Sequence, residues 1–116
     1  MKRLIVSFLF MLMLPTLGFS HSPIKEAVPS SGHVLITAPE KVTIKFGKPF
    51  EPVFSKIEVF DRDGNKVSEK PKYLEDDTII EVGIKENGSS GEYTVKWKCM
   101  SLDGHSKSGN YKFMVK

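Results

Sequence analysis

The feature that most constrains the fold is the alternation of apolar and polar side chains in short runs along the chain. Residues 42–46 read Val-Thr-Ile-Lys-Phe, in which every second side chain is apolar. Such alternation is typical of a β-strand with one buried face, whereas a helix repeats its apolar side chains every three or four residues. The same pattern recurs in residues 56–60, 78–84, 93–99 and 111–115.

Turn-forming residues separate these runs. Gly, Asn, Asp, Ser and Pro are concentrated in residues 29–32, 61–65 and 86–91, and such clusters usually end strands. About seven short strands joined by turns predict an all-β fold, a seven-stranded antiparallel Greek-key β-sandwich or barrel that is immunoglobulin-like. Trp97 is expected near the centre of its core, because a large ring packs well where two sheets meet. The charged segment 66–72 contains Pro, which predicts an edge strand or an extended loop.

The first 20 residues have the pattern of a secretory signal peptide. Met1-Lys2-Arg3 is basic, residues 4–14 are apolar apart from Ser7, and Gly18 and Ser20 supply small side chains before a cleavage site. The apolar run is shorter than the about 20 residues of a membrane-spanning helix, although a signal anchor is the alternative. We therefore predict that residues 1–20 are removed after Ser20 and that residues 21–116 form one exported domain.

Composition argues against several function classes for this domain. The chain has 17 basic and 14 acidic side chains, and loss of Lys2 and Arg3 leaves 15 basic ones. A nearly neutral domain without a basic stripe does not fit nucleic-acid binding. The only cysteine, Cys99, allows no intramolecular disulfide, and the alternation predicts a buried structural thiol. The sequence has no Gly-x-Ser-x-Gly motif and no phosphate-binding Gly-rich loop, so it predicts neither an enzyme nor a substrate site.

A polar segment between the last two strands contains the best candidates for metal ligands. Asp103 and His105 stand two residues apart, with Gly104 between them. If the chain is cleaved after Ser20, His21 becomes the first residue, and its α-amine and imidazole can chelate one ion. Three nitrogen donors and a carboxylate suit Cu(II), Ni(II) or Zn(II), and Cu(II) has the highest affinity in the divalent series. Alternatively, Asp103 forms an ordinary Asx turn.

The two ends of this domain resemble a known family. The first motif reads His21-Ser22-Pro23, Ala27-Val28-Pro29 and Gly32, and the second reads Trp97, Ser101-Leu102-Asp103-Gly104-His105, Gly109 and Phe113. On an exported β-sandwich, these motifs resemble the CopC family of periplasmic copper-binding proteins. The resemblance implies that one Cu(II) ion is bound by His21, Asp103 and His105. It also implies a periplasmic carrier or sequestering protein in copper homeostasis and copper resistance, working beside a CopD-like membrane copper transporter.

One departure from the family narrows this expectation. Some members hold Cu(I) in a methionine-rich loop that also contains a histidine, and Cu(I) prefers such soft thioether ligands. The matching segment here, residues 61–72, has neither Met nor His, which indicates a Cu(II)-only type. Met100 and Met114 are expected to be packing residues, and His33 is expected to be a solvated surface residue.

Two other function classes are alternatives to a copper carrier. The first is an exported immunoglobulin-like interaction domain without a metal, in which residues 103–105 form only a turn. The second is a copper oxidase with a histidine brace, built from the N-terminal amine and two imidazoles. In that second class, Asp103 would occupy an equatorial position that an oxygen-activating centre needs open.

Overall fold

The chain forms eight strands and one short 3-10 helix in the computed structural model, which describes residues 23–85 and 89–116. The predicted signal peptide, His21 and part of the predicted turn at 86–91 lie outside these residues. Within the described ranges, no helix is long and apolar enough to cross a membrane. The strands are β1 (Ile24–Val28), β2 (Val34–Leu35), β3 (Lys41–Phe46), β4 (Lys56–Phe60), β5 (Lys72–Leu74), β6 (Ile79–Gly83), β7 (Gly91–Met100) and β8 (Ser106–Val115), and the 3-10 helix is Pro52–Phe54.

The strands form two four-stranded sheets that pack as a sandwich. One sheet has the order β1-β3-β6-β5 and the other has the order β2-β8-β7-β4. The predicted all-β sandwich is confirmed, with one strand more than expected. The additional strand, β2, pairs parallel to β8 through Val34 and Met114, whereas the other strand pairs are antiparallel. A two-residue strand has no alternation to detect, so periodicity cannot reveal it.

The core consists of the inward side chains of both sheets, as the alternation predicts. In β3 every second side chain is buried, and the side chains between them are partly exposed or exposed. Tyr93 of β7 and Phe113 of β8 stack with ring centroids 5.1 Å apart and an interplanar angle of 4°. The other buried hydrophobic residues are Val42, Ile44, Phe46, Phe50, Ile57, Val59, Ile80, Val82, Val95, Cys99 and Val115.

The charged segment 66–72 is mainly an extended loop that connects the two sheets. The Val67 N–H donates to the Val59 carbonyl of β4 at 2.8 Å, and the Glu69 N–H donates to the Gly83 carbonyl of β6 at 2.8 Å. The segment therefore bonds first to one sheet and then to the other. Of the two predicted alternatives, the extended loop is the one observed before β5 begins.

Trp97 lies at the edge of the core, which corrects the prediction of a central position. Its side chain is partly exposed, and its ring centroid is 6.1 Å from that of Phe46. The residue paired with Trp97 on β8 is Gly109, and a Cβ atom at that glycine would lie 2.7 Å from Cζ2 of the indole. The indole thus occupies the space that a side chain at position 109 would need.

Gly109→Ala should destabilise the fold, because the added methyl group would overlap the Trp97 indole. We expect a loss of about 1–3 kcal/mol in the free energy of unfolding, as for other overpacked sites. Urea denaturation followed by circular dichroism measures this loss. Gly47→Ala is the matched control, since a Cβ atom there has its nearest neighbour, the Pro23 carbonyl oxygen, at 4.0 Å. Equal stability of the two variants would contradict the tight contact.

Candidate metal centre

The candidate ligands lie in the turn of the longest hairpin, where residues 101–105 connect β7 to β8. The Ser101 N–H donates to the His105 carbonyl at 2.9 Å, and the Gly104 N–H donates to the Ser101 carbonyl at 2.9 Å. Gly104 has φ +89°, a backbone conformation that glycine adopts readily because it has no Cβ atom. This glycine therefore allows the sharp turn that presents its two neighbours at the end of the sandwich.

The turn brings the side chains of Asp103 and His105 together. Nδ1 of His105 lies 3.1 Å from Oδ2 of Asp103, and the His105 backbone N–H donates to Oδ1 at 3.3 Å. Two ligand atoms at right angles around one ion are about 2.8–3.1 Å apart when each bond is about 2.0–2.2 Å long. The pair therefore has the spacing of two neighbouring ligands. The side chains of His105 and Asp103 are 82% and 68% exposed, so an ion has access to both.

Ser101 completes the hydrogen bonding of this turn. Its hydroxyl donates to Oδ1 of Asp103 and lies 3.1 Å from the His105 carbonyl oxygen. The pKa of Asp103 is lowered to about 2, chiefly by the bond from Ser101 and then by the bonds from the backbone and the side chain of His105. The carboxyl group is therefore ionised, as a metal ligand must be, at neutral and mildly acidic pH.

The Asp103 carboxyl group should titrate near pH 2 in the metal-free protein. Its folded-state pKa of about 2 lies below its ordinary value of 3.8. The stability that it contributes is therefore present above the ordinary pKa and is lost as the pH falls through the folded-state pKa. Carbon-13 NMR of the side-chain carboxyl group measures the midpoint. Ser101→Ala should raise it, and a native midpoint near the ordinary value would contradict the hydrogen-bond arrangement.

A cavity of about 710 Å³ opens beside the turn. Residues 47–49 line it together with the turn, and Phe46 and Cys99 also contribute to its walls. The loop 47–49 is held next to the turn because Phe50, which is buried, pairs with Ser101 in an antiparallel bridge. Sequence analysis did not connect this loop with the candidate site. No local pattern connects it to the turn, and only the pairing in the folded chain brings the two together.

The residue before β1 reaches the same cavity. Pro23 lines it, and the Pro23 carbonyl accepts a hydrogen bond from the Gly47 N–H at 3.0 Å. The described chain thus begins beside Asp103 and His105, whereas His21, the third predicted ligand, lies outside the described residues. Among residues 23–85 and 89–116, no group of three or more His, Cys, Asp or Glu side chains could hold a metal ion. The described residues therefore include two of the three predicted ligands, Asp103 and His105.

Cys99 is buried, as predicted, with 7% of its surface exposed. Its position in the cavity wall was not predicted, because the alternation indicates a buried face without showing which cavity borders it. Burial raises the pKa of the Cys99 thiol, and a hydrogen bond from Ser55 opposes this shift. A protonated thiol is a poor metal ligand, so a packing role remains the interpretation for this side chain.

His33 and Met114 lie at the opposite end of β8 from the turn. The Met114 N–H donates to the His33 carbonyl at 2.8 Å, and the 10 residues of β8 extend over roughly 30 Å at about 3.4 Å per residue. His33 is exposed, as predicted, and cannot share an ion with His105. Met114 is 39% exposed, which corrects the prediction that it is a packing residue. Its neighbours on β8, Phe113 and Val115, are the side chains that point into the core.

Comparison with known proteins identifies similar chains. The protein-family model for the CopC domain matches residues 24–116. The copper transport protein CutJ of Bacillus subtilis is 32% identical over 113 residues, which cover 96% of this chain and 21% of CutJ. The chain thus spans about a fifth of the length of that relative. Protein YobA of Escherichia coli is 26% identical over 100 residues, covering 84% of this chain and 81% of YobA.

Two solved structures have the same fold. CopC from Methylosinus trichosporium OB3b superposes with a TM-score of 0.73 and is 33% identical, covering 83% of this chain and 94% of that one. PcoC, a copper resistance protein from Escherichia coli, superposes with a TM-score of 0.68 and is 25% identical, covering 82% of this chain and 100% of that one.

Proposed function

Because the chain belongs to the CopC family of copper resistance and transport proteins, we propose that it binds one Cu(II) ion through His21, Asp103 and His105. The ion is cargo, which the protein carries or sequesters. The observation that carries the proposal is the position of Pro23 in the cavity beside the Asp103–His105 pair. Two residues of extended chain span at most about 7 Å, so covalent geometry keeps position 21 close to the cavity that Pro23 lines.

The proposal requires cleavage after Ser20, so that the mature domain is residues 21–116. Members of the family are periplasmic copper proteins, and the signal-like pattern of residues 1–20 agrees with export to that compartment. Cleavage at this bond frees the α-amine of His21, and the amine and imidazole then close a chelate ring. With the carboxylate of Asp103 and the imidazole of His105, the ion has three nitrogen ligands and one oxygen ligand, a set that suits tetragonal Cu(II).

The ligand set favours Cu(II) over Cu(I). Residues 61–72 provide no thioether or imidazole, and burial keeps the Cys99 thiol protonated. Nitrogen and carboxylate ligands stabilise the divalent ion, whereas Cu(I) prefers soft sulfur ligands. Reduction of the bound ion should therefore release it.

Copper carriage is proposed in preference to catalysis. The relatives are a copper transport protein and a copper resistance protein by name, and a CopD-like membrane copper transporter is the partner that we propose for this chain. A set of four ligands that includes Asp103 fills the equatorial positions of a tetragonal ion. An oxidase would need one of those positions for oxygen.

Intact-mass measurement of the exported protein tests the proposal. The full chain is expressed with its N-terminal segment, recovered from the periplasm and weighed before and after one equivalent of Cu(II) under native conditions. We expect a protein that starts at His21 and gains one copper ion, with tetragonal nitrogen couplings in its electron-spin-resonance spectrum. A mature protein that retains no copper would exclude the proposed site. A mature protein that starts at a residue other than His21 and still retains one copper ion would exclude it as well.

A further inference from the structure

We propose that Ser101 is a positioning residue, whose hydroxyl holds Asp103 and His105 in a ligand-ready arrangement before copper arrives. This inference rests on the proposed Cu(II) site and adds to it a residue that does not touch the ion. The ligands themselves are strongly exposed, so the surrounding core cannot fix their side chains by packing. Their order must come from hydrogen bonds within the turn.

Ser101 forms hydrogen bonds with three other residues of the turn. Its hydroxyl reaches Oδ1 of Asp103 and, at 3.1 Å, the carbonyl oxygen of His105. Its backbone N–H donates to the same His105 carbonyl at 2.9 Å, and its carbonyl accepts the Gly104 N–H at 2.9 Å. A hydroxyl has one proton to donate. The charged carboxylate is the stronger acceptor, so the main bond of the hydroxyl is the one to Asp103.

The contact with Ser101 orients the carboxylate of Asp103 relative to the His105 imidazole. Oδ1 of Asp103 accepts from the Ser101 hydroxyl and from the His105 N–H at 3.3 Å. Oδ2 instead faces Nδ1 of His105 at 3.1 Å. A partial rotation of the carboxylate would break both bonds to Oδ1, so the hydroxyl holds the carboxylate plane with its other oxygen beside the imidazole.

Ser101 can act in this way because it is itself attached to the core. It pairs with Phe50 in an antiparallel bridge, and Phe50 is 1% exposed. The Phe50 N–H in turn donates at 2.9 Å to the Asp77 carbonyl. Asp77 lies in the turn between β5 and β6, which belong to the other sheet. The hydroxyl therefore projects from a fixed backbone position. A residue that orients a metal ligand by a hydrogen bond, without binding the ion itself, needs such a position.

Three variants of the mature protein test this role. Ser101→Ala removes the hydroxyl, Ser101→Thr keeps it, and Ser108→Ala removes an exposed hydroxyl elsewhere on β8. Competition with a chelator measures Cu(II) affinity, electron-spin resonance measures the ligand field, and amide hydrogen exchange of the metal-free protein measures order at His105. We expect Ser101→Ala to weaken Cu(II) binding by about 10–100-fold, to alter the spectrum and to speed exchange at His105. Ser101→Thr should restore all three properties, and Ser108→Ala should change none.

The outcomes separate this inference from the proposed function. If the native protein binds Cu(II) while Ser101→Ala binds it equally well with an unchanged spectrum, the positioning role is wrong and the copper site stands. If Ser101→Ala loses affinity and Ser101→Thr does not restore it, the effect is not due to the hydroxyl, and the inference is again wrong. If the native protein binds no Cu(II), the proposed function fails, and the positioning role fails with it.

Discussion

A mature protein that begins with Gly-His21 should fold normally and bind Cu(II) several orders of magnitude more weakly than one that begins with His21. The added residue converts the α-amine of His21 into an amide, which is a poor donor unless it is deprotonated. It also separates the imidazole from its chelate partner, so the six-membered chelate ring through the amine and Nδ1 is lost. Folding is unaffected because β1 begins at Ile24 and Pro23 keeps its bond to Gly47.

The measurement is a competition titration with a Cu(II) chelator, made together with thermal unfolding of the metal-free protein. A protein with the extra glycine after Lys116 is the matched control, since it has the same composition and an unchanged N-terminus. The control should bind as the native protein does. Equal affinity of the Gly-His21 protein would mean that the amine is not a ligand, and the site would have to be sought elsewhere.

Replacement of His105 by Ala should weaken Cu(II) binding by more than roughly 100-fold. That is the upper end of the loss expected when a residue that only hydrogen-bonds to a metal ligand is removed. The substitution removes a proposed nitrogen ligand and leaves Oδ2 of Asp103 without the imidazole that faces it at 3.1 Å. Asp103→Ala should also weaken binding, since it removes the single proposed oxygen ligand. The stability of the fold should change little, because the side chains of both residues are exposed.

His33→Ala is the control for His105→Ala. Both histidines are exposed, and each variant removes one imidazole, but His33 lies near the other end of β8. The titration should give native affinity for His33→Ala. An equal loss in the two variants would show that copper binds to histidines at the surface without a defined site.

The sequence was informative about which side of each strand is buried. It was less informative about how deeply each side chain lies in the core. In β3 the alternation predicted all three buried positions, because a period of two fixes the face on which a side chain lies. It could not predict that Trp97 lies at the edge of the core. That position depends on Gly109 in the paired strand, and cross-strand partners are determined by the tertiary fold.

The site was predictable to the extent that its residues are neighbours in the chain. Asp103 and His105 are close because a single glycine turns the backbone between them. The cavity beside them was not predictable, since the loop 47–49 reaches it through the bridge between Phe50 and Ser101. The role of Ser101 is a similar case, because a serine two residues before an Asp-Gly-His sequence gives no sign of what its hydroxyl will contact.

The contact between Trp97 and Phe46 has an optical consequence. The chain contains one tryptophan, and its indole lies against Phe46 at a centroid distance of 6.1 Å, with Phe46 forming part of the cavity wall. All indole fluorescence therefore comes from one emitter that is separated from the cavity by a single ring. Cu(II) is paramagnetic and absorbs visible light, so it quenches nearby emission, whereas Cu(I), with a filled d shell, lacks those absorption bands. The intrinsic emission of the protein should thus provide a label-free record of Cu(II) at the proposed site, with quenching when the ion binds and recovery when it is reduced and released.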